Sequence, residues 1–183
     1  MAGRVIIFPT DTVYGIGTQI LDLEGIEKIY QIKHRPKEKP LACLCANLKQ
    51  IEDIAYVSDD ARKLIKEFLP GGLTLILKTK EDILNKIGYK TIGVRIPNHP
   101  IALKILEENG PMLTTSVNES GSVPLNEYDE IYKEYHTLVD KIYDNDRDSL
   151  NLASTVILLT TDELKVLREG PIKLEDILKV LNK

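Results

Sequence analysis

Thr91-Ile92-Gly93-Val94-Arg95-Ile96-Pro97-Asn98-His99-Pro100 joins the end of one element to the start of the next. Residues 91–96 are rich in β-branched side chains and stop at Pro97, which predicts a strand. Asn98 is the expected cap of the following helix, with Pro100 in its first turn and Gly110 past its end. Residues 112–117 then read as another strand. The same alternation continues outward. Upstream, strands are predicted at 4–8, 40–46 and 73–78, and helices at 23–33 and from the Ser58 cap to Phe68. Downstream, helices are predicted at 128–135 and 174–181, and strands at 138–143, 153–159 and 164–167. An order that mixes both element types throughout predicts an α/β fold with a mixed sheet. No internal repeat or low-complexity linker interrupts it, so residues 1–183 are expected to form one domain.

Composition narrows the possibilities. The 183 residues carry 24 Lys+Arg against 28 Asp+Glu, a formal charge of −4, and 43% are apolar. A chain of this length buries roughly 70% of its unfolded surface, so disorder is excluded. The acidic total gives no global reason to bind nucleic acid or an anionic membrane. No apolar run approaches a membrane span, and four apolar residues before Pro9 are too few for a signal peptide. A cytoplasmic protein without membrane contact is the expectation. Cys43 and Cys45 lack the further ligands a metal site needs and read as small buried residues. The charge is unevenly distributed. Residues 28–39 hold five bases and one acid, a net +4, while residues 128–148 hold seven acids and three bases, a net −4. The first segment could receive a small polyanion.

Four constellations carry polar chemistry. Pro9-Thr10-Asp11-Thr12-Val13-Tyr14-Gly15-Ile16-Gly17 follows a strand, where α/β proteins place ligand sites, although it fits neither a dinucleotide fingerprint nor a Walker loop. In Lys33-His34-Arg35-Pro36-Lys37-Glu38-Lys39-Pro40-Leu41 two prolines restrict the backbone and hold three or four cations near the end of a helix. Arg95 alternates with apolar Val94 and Ile96, so it needs an anionic partner, either a protein carboxylate or a ligand. Thr114-Thr115-Ser116-Val117-Asn118-Glu119-Ser120-Gly121 sets hydroxyl and amide groups at a strand end, able to hold phosphate or ribose or simply to satisfy a turn. Ser154-Thr155 and Arg168-Glu169-Gly170 are shorter signals of the same kind.

Taken in order, these segments resemble the YrdC family across nearly the whole chain, together with Pro70-Gly71-Gly72 and its following strand. The resemblance implies a twisted open mixed α/β sheet with flanking helices around a concave basic cleft. It implies synthesis of threonylcarbamoyl-AMP and pyrophosphate from L-threonine, bicarbonate and ATP. That product would serve a separate transferase complex that modifies tRNA. By motif, Lys33 and Arg35 are the expected catalytic residues. Arg35, Lys39, Thr91, Ser116, Asn118 and Arg168 are expected on ATP; Thr12, Arg95, Thr114 and Ser154 on threonine. Mg2+ is expected with the triphosphate, with no ligand assignable. Four departures stand out, one of them Pro70-Gly71-Gly72 in place of the usual Pro-Gly-Pro. The family's helix before the first strand has no counterpart, which is expected to leave one face less covered. Val117 replaces an alanine and is expected to crowd the nucleotide. Asp144-Asn145-Asp146 replaces a Gly-rich turn. Two alternatives remain open: an RNA-binding module of the same fold that contacts double-stranded RNA or tRNA directly, and a paralogue performing related carbamoyl or adenylyl transfer.

Overall fold

Strands with apolar residues at every second position sort the chain onto two sides of a sheet. In the computed structural model, which describes residues 2–145, 147, 149–160 and 163–182, nine strands share one sheet. They are β1 (Ile6–Phe8), β2 (Gly15–Gln19), β3 (Ala42–Leu44), β4 (Leu73–Lys78), β5 (Thr91–Arg95), β6 (Met112–Ser116), β7 (Lys141–Ile142), β8 (Thr155–Thr160) and β9 (Glu163–Arg168). Their order is β7-β1-β2-β6-β3-β5-β4-β8-β9. β1–β7, β3–β5 and β4–β8 are parallel and the other pairs antiparallel, so the sheet is mixed as predicted.

The two faces have different fates. Leu73, Leu75, Leu77, Ile92, Val94, Leu113 and Ile157 project to one side and are buried there. That core takes Ile29 from α1 (Leu23–Ile32), Ile51 from α2 (Leu48–Ile54), Leu64 from α3 (Asp59–Phe68) and Ile83 from α4 (Glu81–Ile87). Ile131 from α6 (Tyr128–Tyr135) and Ile177 from α7 (Leu174–Leu181) complete it. Among the described residues only α5 (Pro100–Asn109) joins a core on the other side, packing Ala102, Ile105 and Leu106 with Ile6, Phe8, Leu44 and Met112. Thus the first strand's second face is covered by α5. A hollow of about 170 Å³ persists where Arg4, Ile6, Gln19 and Met112 meet. The alternate positions on β2, β4, β5 and β6 that α5 does not reach line a cleft.

Several expectations change. Gly15–Gln19 is a strand, although it reads as loop because glycine has low β-propensity. A Cβ on Gly15 would lie 2.6 Å from Thr114 Cγ2, and one on Gly17 2.7 Å from Thr114 Oγ1, so the neighbouring strand demands both glycines. α2 and α4, each two turns long, were not predicted; Asn47 caps α2 by accepting from the Gln50 N–H. The cap of α5 is His99, which has the extended backbone of that position, not Asn98, one residue earlier, whose N–H goes to Asp11. The strand predicted at 138–143 contracts to Lys141–Ile142. Cys43 and Cys45 are buried thiols in the core, as expected. Of the polar stretch 144–151, positions 146 and 148 lie outside the described residues, as does the last residue of the Asp144-Asn145-Asp146 departure.

Candidate active site

Small side chains keep the uncovered face open. Gly15, Ala42, Gly93 and Thr114 come from four adjacent strands and floor a cleft of about 570 Å³, a volume suited to a small-molecule ligand. Gly93 is constrained as well, since a Cβ there would lie 3.2 Å from Thr74 Cγ2. Period-two geometry sends Thr91, Gly93 and Arg95 of β5 to the cleft and Ile92 and Val94 to the core.

All but two of the predicted site residues line this one cavity. Arg35, Thr91, Ser116, Asn118 and Arg168 border it, as do Thr12, Arg95, Thr114 and Ser154. Lys33 and Lys39 do not line it. Lys39 is exposed, and its backbone carbonyl accepts from Arg35 Nε at 2.9 Å. Lys33 is wholly buried behind the turn that follows β6. Its ammonium donates to Ser116 O at 2.5 Å, Asn118 O at 2.6 Å and Asn118 Oδ1 at 3.0 Å. Those three bonds use every donor the group has. The Lys33 carbonyl accepts from the Ser120 N–H at 3.1 Å, so the turn is held at both ends of the residue. Ser116 Oγ donates to Asn118 Oδ1 at 2.7 Å, and Asn118 Nδ2 donates to Glu119 O and Ser122 O. Burial, with the Arg35 charge as a smaller cause, lowers the Lys33 pKa to about 8. Lys33 therefore reaches a ligand only through Ser116 and Asn118 and through its field.

Arg35 is set by local backbone. His34, at φ 47°, ends α1 in a left-handed conformation and turns the chain. Arg35 Nη2 donates to Pro40 O at 3.0 Å, so the loop folds under its own guanidinium. Tyr30 Oη pins the same loop by donating to Lys39 O at 3.0 Å.

Arg95 is buried and differently held. Its Nη2 donates to Asp11 Oδ1 at 2.5 Å, its Nη1 to Thr12 Oγ1 at 2.7 Å, and its Nε to Gly71 O at 2.9 Å. Burial lowers its pKa and the Asp11 carboxylate opposes that effect. Arg168 lies close enough for its charge to act on Arg95 as well. It donates from Nε to Ser154 O at 2.9 Å and from Nη2 to Ser154 Oγ at 3.1 Å. Ser154 Oγ also lies 2.8 Å from Thr74 Oγ1.

Sequence reasoning missed Thr74, Asp11 as the partner of Arg95, and the small-residue floor. The signal for Thr74 was present: it interrupts the buried series Leu73, Leu75, Leu77 at alternate positions. Val117 does not crowd the cleft, because its side chain is wholly buried in the helix-covered core. Two of the five bases in the +4 segment pair with acids, and a third is buried with its charge intact. Lys28 pairs with Asp140 and Lys37 with Glu27, and Lys33 is buried. Among the described residues no Asp or Glu lines the cleft, and no group of three His, Cys, Asp or Glu could hold a metal ion. The donor set therefore does not fit a protein-held Mg2+. Among the described residues no helix is long and apolar enough to cross a membrane.

This geometry has counterparts in known proteins. The Sua5/YciO/YrdC family model, described as telomere recombination, matches residues 1–170. The threonylcarbamoyl-AMP synthase of Pyrococcus abyssi is 36% identical over 183 residues, covering 98% of this chain and 54% of that protein. The crystal structure of P. abyssi Sua5 complexed with L-threonine superposes with a TM-score of 0.89 at 35% identity. The threonylcarbamoyl-AMP synthase of Bacillus subtilis is 35% identical, covering 97% of this chain and 53% of its own. This chain thus spans about half the length of both. The crystal structure of Escherichia coli YciO gives a TM-score of 0.84 at 34% identity, with 96% of this chain and 87% of that one covered. With most of its length matched by the family model and relatives above 30% identity covered almost end to end, the chain belongs to the Sua5/YciO/YrdC family.

Proposed function

We propose that the cleft makes threonylcarbamoyl-AMP from L-threonine, bicarbonate and ATP, releasing pyrophosphate and water. The observation that carries this reading is the convergence of Arg35, Arg95 and Arg168 with the hydroxyls of Thr12, Thr91, Thr114, Ser116 and Ser154 on one cavity. Three guanidiniums suit a substrate pair that carries a triphosphate and a carboxylate. No covalent intermediate on the protein is required. The threonine amine adds to the carbon of bicarbonate, water leaves, and a carbamate forms. A carbamate oxygen then bonds to the α-phosphorus. The bond from that phosphorus to the bridging oxygen breaks, and its electron pair departs with pyrophosphate.

Each end of the cleft has its task. Arg35, Ser116, Asn118, Thr91 and Arg168 hold the nucleotide, and the positive field there opposes charge that builds on the phosphates. Thr12, Arg95, Thr114 and Ser154 hold threonine, with Arg95 on its carboxylate. Mg2+ arrives as part of the substrate, on the triphosphate. Catalysis is then orientation plus phosphate charge stabilisation. The adenylate passes to a separate transferase acting on tRNA. Direct RNA binding has less support, since most of the basic segment is paired or buried.

The test is an omission assay. Pyrophosphate should appear only when protein, L-threonine, bicarbonate and ATP are all present. Release that is indifferent to threonine would overturn the reading.

A further inference from the structure

Asp11 stands beside the cleft without lining it, and its carboxylate is placed by backbone rather than by a ligand. Its Oδ1 accepts the Asn98 N–H at 2.9 Å, and its carbonyl accepts the Leu150 N–H at 2.9 Å. It is therefore anchored both to the segment entering α5 and to the segment before β8. From that fixed point the same oxygen accepts from Arg95 Nη2 at 2.5 Å. Thr12 Oγ1 and Gly71 O take one further N–H each. A guanidinium has five N–H donors, so one on each terminal nitrogen is left over. Arg95 lines the cavity.

We propose that Asp11 is a positioning residue for amino-acid recognition: it fixes Arg95 so that its spare donors meet the substrate carboxylate, and it cancels the arginine charge so that simple anions do not occupy the site. The inference rests on the functional reading above. The Arg95–Asp11 pair is neutral before substrate arrives, and the charge that still acts on it is that of Arg168. A lone carboxylate then gains little from net charge and must earn its place through hydrogen-bond geometry and the rest of the amino acid. A bare buried guanidinium would instead attract any small anion. The pairing is specific to Arg95, since neither Arg35 nor Arg168 has a carboxylate partner among the described residues.

The experiment is calorimetric titration of the full chain and of its Asp11→Asn and Asp11→Ala variants, separately with L-threonine and with ATP. Acetate serves as a competing anion. Wild type should bind threonine with little sensitivity to acetate. Asp11→Ala should weaken threonine by about tenfold or more, the scale of a lost hydrogen bond to a charged group, with ATP within about twofold. Acetate should now compete with threonine. Asp11→Asn keeps an acceptor for Asn98 and Arg95 but loses the charge, so it should gain the same acetate sensitivity with a smaller loss of threonine affinity. Unchanged threonine affinity in both variants, a parallel loss of ATP binding, or acetate sensitivity equal to wild type would overturn the proposal. So would failure of Asp11→Asn to fold, which would make the carboxylate a stability element. Wild-type protein that binds no threonine would instead refute the functional reading, and the Asp11 role with it.

Discussion

Lys33 and Arg95 are buried cations beside the same cleft, and the chain compensates them in opposite ways. Lys33 meets three neutral oxygens, Ser116 O, Asn118 O and Asn118 Oδ1. Arg95 meets a carboxylate, Asp11, together with a hydroxyl and a carbonyl. Neutral acceptors satisfy the ammonium's donors but leave its charge intact, whereas a carboxylate removes it. With Arg35 also turned onto backbone carbonyls, the Lys33 end retains net positive potential. Such a field suits a triphosphate, and it is strengthened by the low dielectric around a buried group. At the other end Asp11 offsets the charge of Arg95 itself, and the nearby Arg168 is the cation left without a carboxylate partner among the described residues. On the proposed reading, one cleft presents two kinds of anion site, distinguished by what stands behind each cation.

The sharpest way to break this comparison is to remove Arg35, the cation proposed to face the phosphates. Arg35→Ala should lower kcat/KM by roughly a hundredfold to a thousandfold, the range seen when one preorganised donor to developing charge is lost. Threonine affinity should hold, as measured by calorimetry on the folded variant. Lys33→Met comes next. It deletes the charge and releases the Ser116–Asn118 turn, and should cost about tenfold to a hundredfold in kcat/KM for ATP, since each bond from a charged donor contributes about 1.5–3 kcal/mol. Equal losses in threonine and ATP affinity would show that the turn serves both ends.

A smaller effect should appear with pH. Lys33 titrates near 8 in the folded chain against an ordinary 10.5. Raising the pH through about 8 removes the positive charge and one donor, so activity should fall there. Stability moves the other way. Between about 8 and 10.5 the unfolded chain binds more protons than the folded one, so this group favours folding more as pH rises. A descending activity limb without loss of the melting transition is the expected signature, and Lys33→Met should lack it. The smallest effect is expected at Lys37, whose partner Glu27 is solvent-accessible. Surface ion pairs contribute little, so Lys37→Ala should leave activity and melting temperature unchanged within error.

How much of this was legible in the sequence follows from how local each feature is. Residues 91–117 declare strand, helix and strand through β-branching, Pro100 and Gly110, and the structure forms β5, α5 and β6 there. The Ser58 cap and α3 are equally local, with Ser58 Oγ accepting from the Ala61 N–H. β2 was not legible, because its glycines answer to Thr114 on a strand about a hundred residues away in sequence, and propensity carries no record of such a neighbour. Among the site residues, motif order brought Arg35, Ser116, Asn118, Arg95 and Arg168 to one cavity. It did not distinguish a residue that lines the cleft from one that stands behind it. Lys33 and Asp11 both belong to the second kind, and only their partners, with the burial of Lys33, reveal it.

The most direct test of the account is to follow the carbon. Incubation with 13C-labelled bicarbonate, unlabelled L-threonine and ATP, followed by mass spectrometry, should yield an adenylate heavier by a single carbon label, together with stoichiometric pyrophosphate. An adenylate without the label, or pyrophosphate release without any threonine-containing adenylate, would contradict it.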